Sequence, residues 1–211
     1  MGISIPLVPF SFVMNQEIIE NYLVGFDEIN KLTLTSYRLA QDEDDAQQRA
    51  ARIADDMLSS LILAYTAGIK AADMMLAFDL DVEIDAMNAA IYDVIDGKTF
   101  EQRVLDHVLA DDVQALTALA ESEYHRVYNA GIYDGGQQYK KNRGWGVKRL
   151  WITMKDDAVR KTHKYLEGMT VDIGEEFFTI DGDHAKHPGG FKKVENNARC
   201  RCITELIPEE A

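Results

Sequence analysis

Residues 149 to 168 read RLWITMKDDAVRKTHKYLEG and bring Trp151, Asp156, Asp157, Arg160 and His163 within thirteen positions. Acid, base and cation this close together suit proton transfer or metal ligation. Further on, Cys200 and Cys202 flank a single arginine. If they lie on a strand, alternation puts both sulfurs on one side. A histidine facing them would complete three soft ligands of a tetrahedral zinc site, with His184, His187 or a water as the fourth. The same spacing equally describes two buried thiols packed against a histidine, since free cysteine behaves as a small hydrophobe and no C-x-x-C pair accompanies it. Thiol catalysis with His163 as base is a third reading, but no oxyanion hole or helix N-terminus is marked at the cysteines. DGDHAKHPGG, residues 181 to 190, offers Asp181, Asp183, His184 and His187 to a cation, yet its glycines and proline describe a surface turn. No phosphate loop, dinucleotide fingerprint, G-x-S-x-G elbow or H-E-x-x-H helix occurs.

The elements that position these residues are read from periodicity. Ile18, Tyr22, Phe26 and Ile29 form one apolar stripe, and Ala46, Ala50, Ile53, Met57, Leu61, Tyr65 and Ile69 form a second. DEDD at 42 to 45 sits where the second helix begins, where carboxylates favour the positive end of the dipole more readily than they build a cation site. A shorter helix is expected from about Val82 to Ile95, closed by Gly97. Thr99 with Gln102 is a capping-box pattern opening one long helix whose face runs Phe100, Val104, Val108, Val113, Leu116, Ala120, Tyr124 and Val127 down to Gly131. His107 and His125 on it read as surface or packed side chains. GVKRLWITM then has strand character, with Trp151 and Thr153 on one face and Leu150, Ile152 and Met154 on the other. A short helix opening at Thr153 and Asp156 and stopped by Gly168 should pair Asp156 with Arg160 and turn Val159, His163 and Leu166 inward. MTVDIG, EEFFTI and RCRCITELI complete the strands, with Trp151, Leu166 and Phe177 in the core.

The fold class expected is therefore α+β: a mainly helical N-terminal half, residues 1–132, followed by a small α+β module with a short antiparallel sheet, residues 133–211. With 211 residues, 46% hydrophobic and 27% charged, the chain can bury one substantial core or two smaller ones. The opening MGISIPLVPF has no basic n-region, and the longest apolar runs fall short of a span, so neither a secretion signal nor a membrane crossing is expected. Cysteines one residue apart cannot bridge each other without strain, which points to a reducing compartment. The net charge of −14 is uneven: residues 1–135 hold 8 Lys+Arg against 24 Asp+Glu, and residues 136–211 hold 14 against 12. The acidic front repels phosphate backbones, so contact with DNA is left to the basic segment 140–149, with Lys140, Lys141, Arg143, Lys148 and Arg149.

Three motifs in order carry a resemblance. SEYHRVYNAG (Ser122 to Gly131), WITMKDDAVRKTHKYLEG (Trp151 to Gly168) and CRC (Cys200 to Cys202) resemble the T-E-x-x-R-x-x-N-x-G, W-x-T-x-x-D-x-x-V-R-x-x-H-x-x-L-x-G and C-R-C of the phage head-morphogenesis family, minor capsid proteins similar to the F protein of phage Mu. The match covers about residues 98–207 and picks out Glu123, Arg126, Asn129, Gly131, Trp151, Thr153, Asp156, Arg160 and Gly168 as its structural positions. Ser122 replaces the usual threonine, Ala198 and Arg199 replace a hydrophobic residue and asparagine, and some relatives carry C-x-x-C where Arg160 and His163 stand here. The resemblance implies assembly without enzymatic activity: a minor head protein of the virion, present in the host cytoplasm during assembly, with the portal or other head proteins as partners. It implies no obligatory cofactor, zinc at His163, Cys200 and Cys202 being the one candidate. Some relatives are fused to toxin or enzyme domains; with Ala211 just past the motif, no such domain is expected here. The alternatives are a small metal-dependent hydrolase or nuclease using His163, His184, His187 and the two cysteines, or a host-interaction protein injected with DNA.

Overall fold

A computed structural model of the chain describes residues 16–209. The opening stretch read above for a signal lies outside them, as does the side chain of Ile18. Helices α1 (Gln16–Leu39) and α2 (Ala46–Leu76) form a hairpin through a short 3-10 turn at Ala40–Asp42. Asp45 caps α2, its carboxylate accepting from the Gln47 and Gln48 amides at 2.7 and 3.1 Å. The last acid of DEDD thus serves a helix start. Helices α3 (Ile84–Ile91), α4 (Phe100–Leu109) and α5 (Val113–Arg143) follow.

Three helix expectations differ from the structure. The helix expected over Val82 to Ile95 is α3 alone, because Asp96 and Gly97 take positive φ and turn the chain tightly, pairing Ile95 with Lys98. The long helix opened by the Thr99–Gln102 capping box is two helices. Asp111 adopts φ 50° and Asp112 caps a new start by accepting from the Ala115 amide at 2.9 Å. Conversely, α5 does not stop at Gly131 but continues twelve residues to Arg143, so the expected division at 132/133 falls inside it.

Glycine survives inside α5 because another backbone lies against it. A Cβ on Gly131 would sit 2.4 Å from the Tyr65 carbonyl oxygen, and one on Gly68 of α2 would sit 2.1 Å from that of Tyr128. The two helices cross where neither has a side chain. Around this crossing, Ile53, Met57, Leu61, Tyr65, Leu116, Val127 and Ile132 form the main core. Tyr65 also donates to Asp134 at 2.7 Å.

After α5, strand β1 (Val147–Ile152) is central in an antiparallel sheet, order β2-β1-β5, with β2 (Thr170–Asp172) and β5 (Ile203–Pro208). The short pair β3 (Phe177–Phe178) and β4 (His184–Ala185) stands beside it, and the one-turn helices α6 (Lys161–Lys164) and α7 (Val194–Asn197) fill the connections. Val147, Ile173 and Leu206 pack on the helical core. Trp151, Leu166, Phe177, Ala185, Phe191, Cys200 and Cys202 form a second, smaller core. The expected α+β class holds, helices first and a small antiparallel sheet after. Among the described residues no helix is long and apolar enough to cross a membrane.

Candidate functional site

Within the second core, His163 enters from α6 and the two cysteines from the segment leading into β5. Its Nδ1 lies 3.6 Å from Cys200 Sγ and 3.4 Å from Cys202 Sγ. All three residues are buried, and their donor atoms lie within 4.8 Å of one another. The cysteines are not on a strand, as alternation had suggested, because β5 begins only at Ile203. Arg199 at φ 53° bends the chain instead, and this bend presents both sulfurs to the same ring.

Neighbouring residues fix that bend. The Arg160 guanidinium donates to the carbonyls of Glu195 and Ala198, anchoring α7 and the approach to Cys200. Arg160 therefore does not pair with Asp156, which accepts two hydrogen bonds from Arg201 at 2.8 and 2.9 Å instead. The cause is the helix start: residues 156 to 159 form a turn, α6 begins only at Lys161, and the i,i+4 geometry that the pair needed is missing. Gly168 adopts φ 75°, so that its amide reaches back to the Trp151 carbonyl at 3.0 Å. Thr153 is held by its amide, which donates to Glu167 at 2.7 Å.

Trp151 is fully buried, edge-on to His163 and Phe177 at 5.7 and 5.0 Å between ring centroids. A hydrogen bond from Cys202 pulls the Cys200 thiol well below its usual range against the effect of burial, with His125 and His163 acting the same way. The same sulfur contact and burial push Cys202 up. The other ring nitrogen of His163, Nε2, is buried without a hydrogen-bond partner.

His125, read from periodicity as a packed or surface residue, is packed, 1% exposed; it lies near Cys200 from α5 but outside the group of clustered ligand atoms, and its Nε2 is 3.4 Å from Asn129 Nδ2. Its Nδ1 meets the Tyr22 hydroxyl at 2.8 Å, and Asn129 Nδ2 donates to its carbonyl at 2.9 Å. Helical spacing could not reveal this role, because the partner lies 75 residues away on a segment of unknown direction.

His184 and His187 are not brought to the cluster. His184 Nδ1 lies 2.6 Å from Glu176, and His187 Nδ1 lies 3.0 Å from the Pro188 carbonyl, with burial holding its pKa down at about 4. The loop between them is organised by Asp183, whose carboxylate accepts from the amides of His184, Lys192 and Lys193 and from Asn196 Nδ2 at 2.8 to 3.3 Å. A carboxylate so engaged is a loop anchor.

The first motif has its own centre. Glu123 is 2% exposed and takes a bidentate pair from Arg103 at 2.6 and 2.9 Å, while Arg126 adds contacts at 2.9 and 3.2 Å and donates to the Ala90 carbonyl at 2.7 Å. Burial works against the charge, but Arg126 and Arg103 outweigh it and hold the carboxyl at about 2. This triad ties α3, α4 and α5 together. In the basic segment, Arg149 is fully buried between the Tyr133 and Phe177 rings, donating to the Asp172 and Glu175 carbonyls, and burial lowers its pKa to about 10. Lys148 pairs with Glu209 at 2.5 Å and Lys141 with Glu83 at 3.7 Å. The cations at 140–149 are therefore divided between core, ion pairs and surface rather than gathered in one patch.

The class this defines is a helical layer joined to a small sheet, with its signature residues spent on internal contacts. Residues 84–205 match the family described as Phage Mu protein F like protein, and the chain belongs to that phage head-morphogenesis family. It is 30% identical over 83 residues to minor head protein GP7 of Bacillus phage SPP1, covering 39% of this chain and 26% of that protein. It is 26% identical over 170 residues to the NAD(+)–arginine ADP-ribosyltransferase EFV of Enterococcus faecalis, covering 80% of this chain and 34% of that protein. The chain thus spans about a third or less of either relative. No solved structure matches it.

Proposed function

We propose that this chain acts as a minor head protein in phage head morphogenesis, without enzymatic activity, on the portal or the procapsid interior. Its acidic helical half docks on other head proteins and its α+β module supplies a rigid body. The observation that carries this reading is the use of the motif residues: Glu123, Arg126, Asn129, Gly131, Trp151, Asp156, Arg160 and Gly168 all serve packing, capping or internal ion pairs. A hydrolase built on His163 and the cysteines is disfavoured by space. The recess that Val159, Arg160, His163, Cys200 and Cys202 border has room for only about 10 Å³, less than a substrate needs. The test is deletion of the chain from the head-assembly genes, with cross-linking of proheads. Reduced head yield and a cross-link to portal support the proposal; unchanged yield with no cross-link to any head protein contradicts it.

A further inference from the structure

The cluster of Cys200, Cys202 and His163 carries an inference that does not depend on the head-protein reading. A histidine nitrogen has one in-plane lone pair and can accept a hydrogen from only one thiol. Yet His163 Nδ1 stands 3.6 and 3.4 Å from two sulfurs at once. With zinc–sulfur bonds near 2.3 Å and zinc–nitrogen bonds near 2.0–2.1 Å, tetrahedral geometry gives a nitrogen–sulfur edge of about 3.6 Å. Both measured separations fall close to that edge, and the recess the three residues border has room for about one ion.

All three ligand atoms lie within 4.8 Å of one another, and the His163 ring is held edge-on by Trp151. We propose that Cys200, Cys202 and His163 hold a structural zinc ion, with a water in the small recess they border as the fourth ligand. The ion staples the closing segment to α6. The second core has need of it, being only seven buried residues with no disulfide available.

The test uses the full chain produced in zinc-supplemented medium. Metal analysis is expected to return one zinc per chain, and replacement by Co²⁺ should give sulfur-to-cobalt charge transfer and the intense visible bands of a tetrahedral site. Both thiols should resist a thiol reagent until a chelator is added. Cys200→Ser and Cys202→Ser should abolish the cobalt charge-transfer signal or weaken it severely. His163→Asn should keep the sulfur bands, alter the tetrahedral visible spectrum and weaken zinc binding at least tenfold. Metal-free wild-type chain with no cobalt signal, or thiols equally reactive with and without chelator, overturns the site without reference to any variant. An unchanged cobalt spectrum and affinity in His163→Asn overturns the histidine ligand.

Discussion

Glu123 is where a single side chain bears most weight. Its carboxylate faces two guanidinium groups in a buried place, so removing its charge strands them there. Glu123→Gln is expected to cost about 3–5 kcal/mol, the usual penalty for breaking a buried ion pair from one side, read as a lower midpoint in urea. The pH dependence has a definite sign. The folded carboxyl, at about 2, lies below its ordinary value near 4.5, so its stabilisation is fully present above pH 4.5 and is lost as pH falls toward 2. The amount is about 3 kcal/mol, and acid titration of the wild type should show this loss while Glu123→Gln flattens it. Asp156→Asn, by contrast, removes an ion pair whose two side chains are both more than 40% exposed, and thermal melts should barely move. The motif puts these two acids on equal terms; burial separates them.

At the scale of elements, glycine carries the argument. Gly131→Ala pushes a methyl into the Tyr65 carbonyl and should part α2 from α5 at their closest approach. A loss of about 2–3 kcal/mol is expected, measured by chemical denaturation, with the helical circular dichroism retained below the transition. The same residue shows why part of the fold was legible and part was not. Stripes at three- and four-residue steps located α1 and α2, and the Thr99–Gln102 box located the start of α4 to the residue. Gly131 resembled a stop because sequence cannot tell a glycine that ends a helix from one that admits a neighbour. The break at 110–112 was hidden for the opposite reason. Val108 and Val113 carry the apolar stripe across it with no glycine or proline between them, and only Asp111 at positive φ and the Asp112 cap reveal it. The site was legible in part: residue type marked His163, Cys200 and Cys202 as candidates to meet, but the bend at Arg199 and not strand alternation brings them together, while His125 depended on how α5 packs and Arg160 on where α6 begins.

Across the whole molecule, the charge division and the two cores run together. The large core belongs to the acidic helices and receives Val147 and Leu206 from the sheet, while the small core closes around Trp151 farther along the same buried face of β1. An acidic helical layer joined to a sheet whose motif residues are spent on internal contacts suits a component that is held by neighbours. The most direct test is the protein content of gradient-purified proheads and virions from cells producing this chain with its accompanying head genes, determined by quantitative mass spectrometry. The account predicts a constant, low copy number of this chain in proheads, sedimenting with them through a second gradient at high salt. Recovery of the chain only in the soluble fraction, with proheads and virions free of it, would contradict the account.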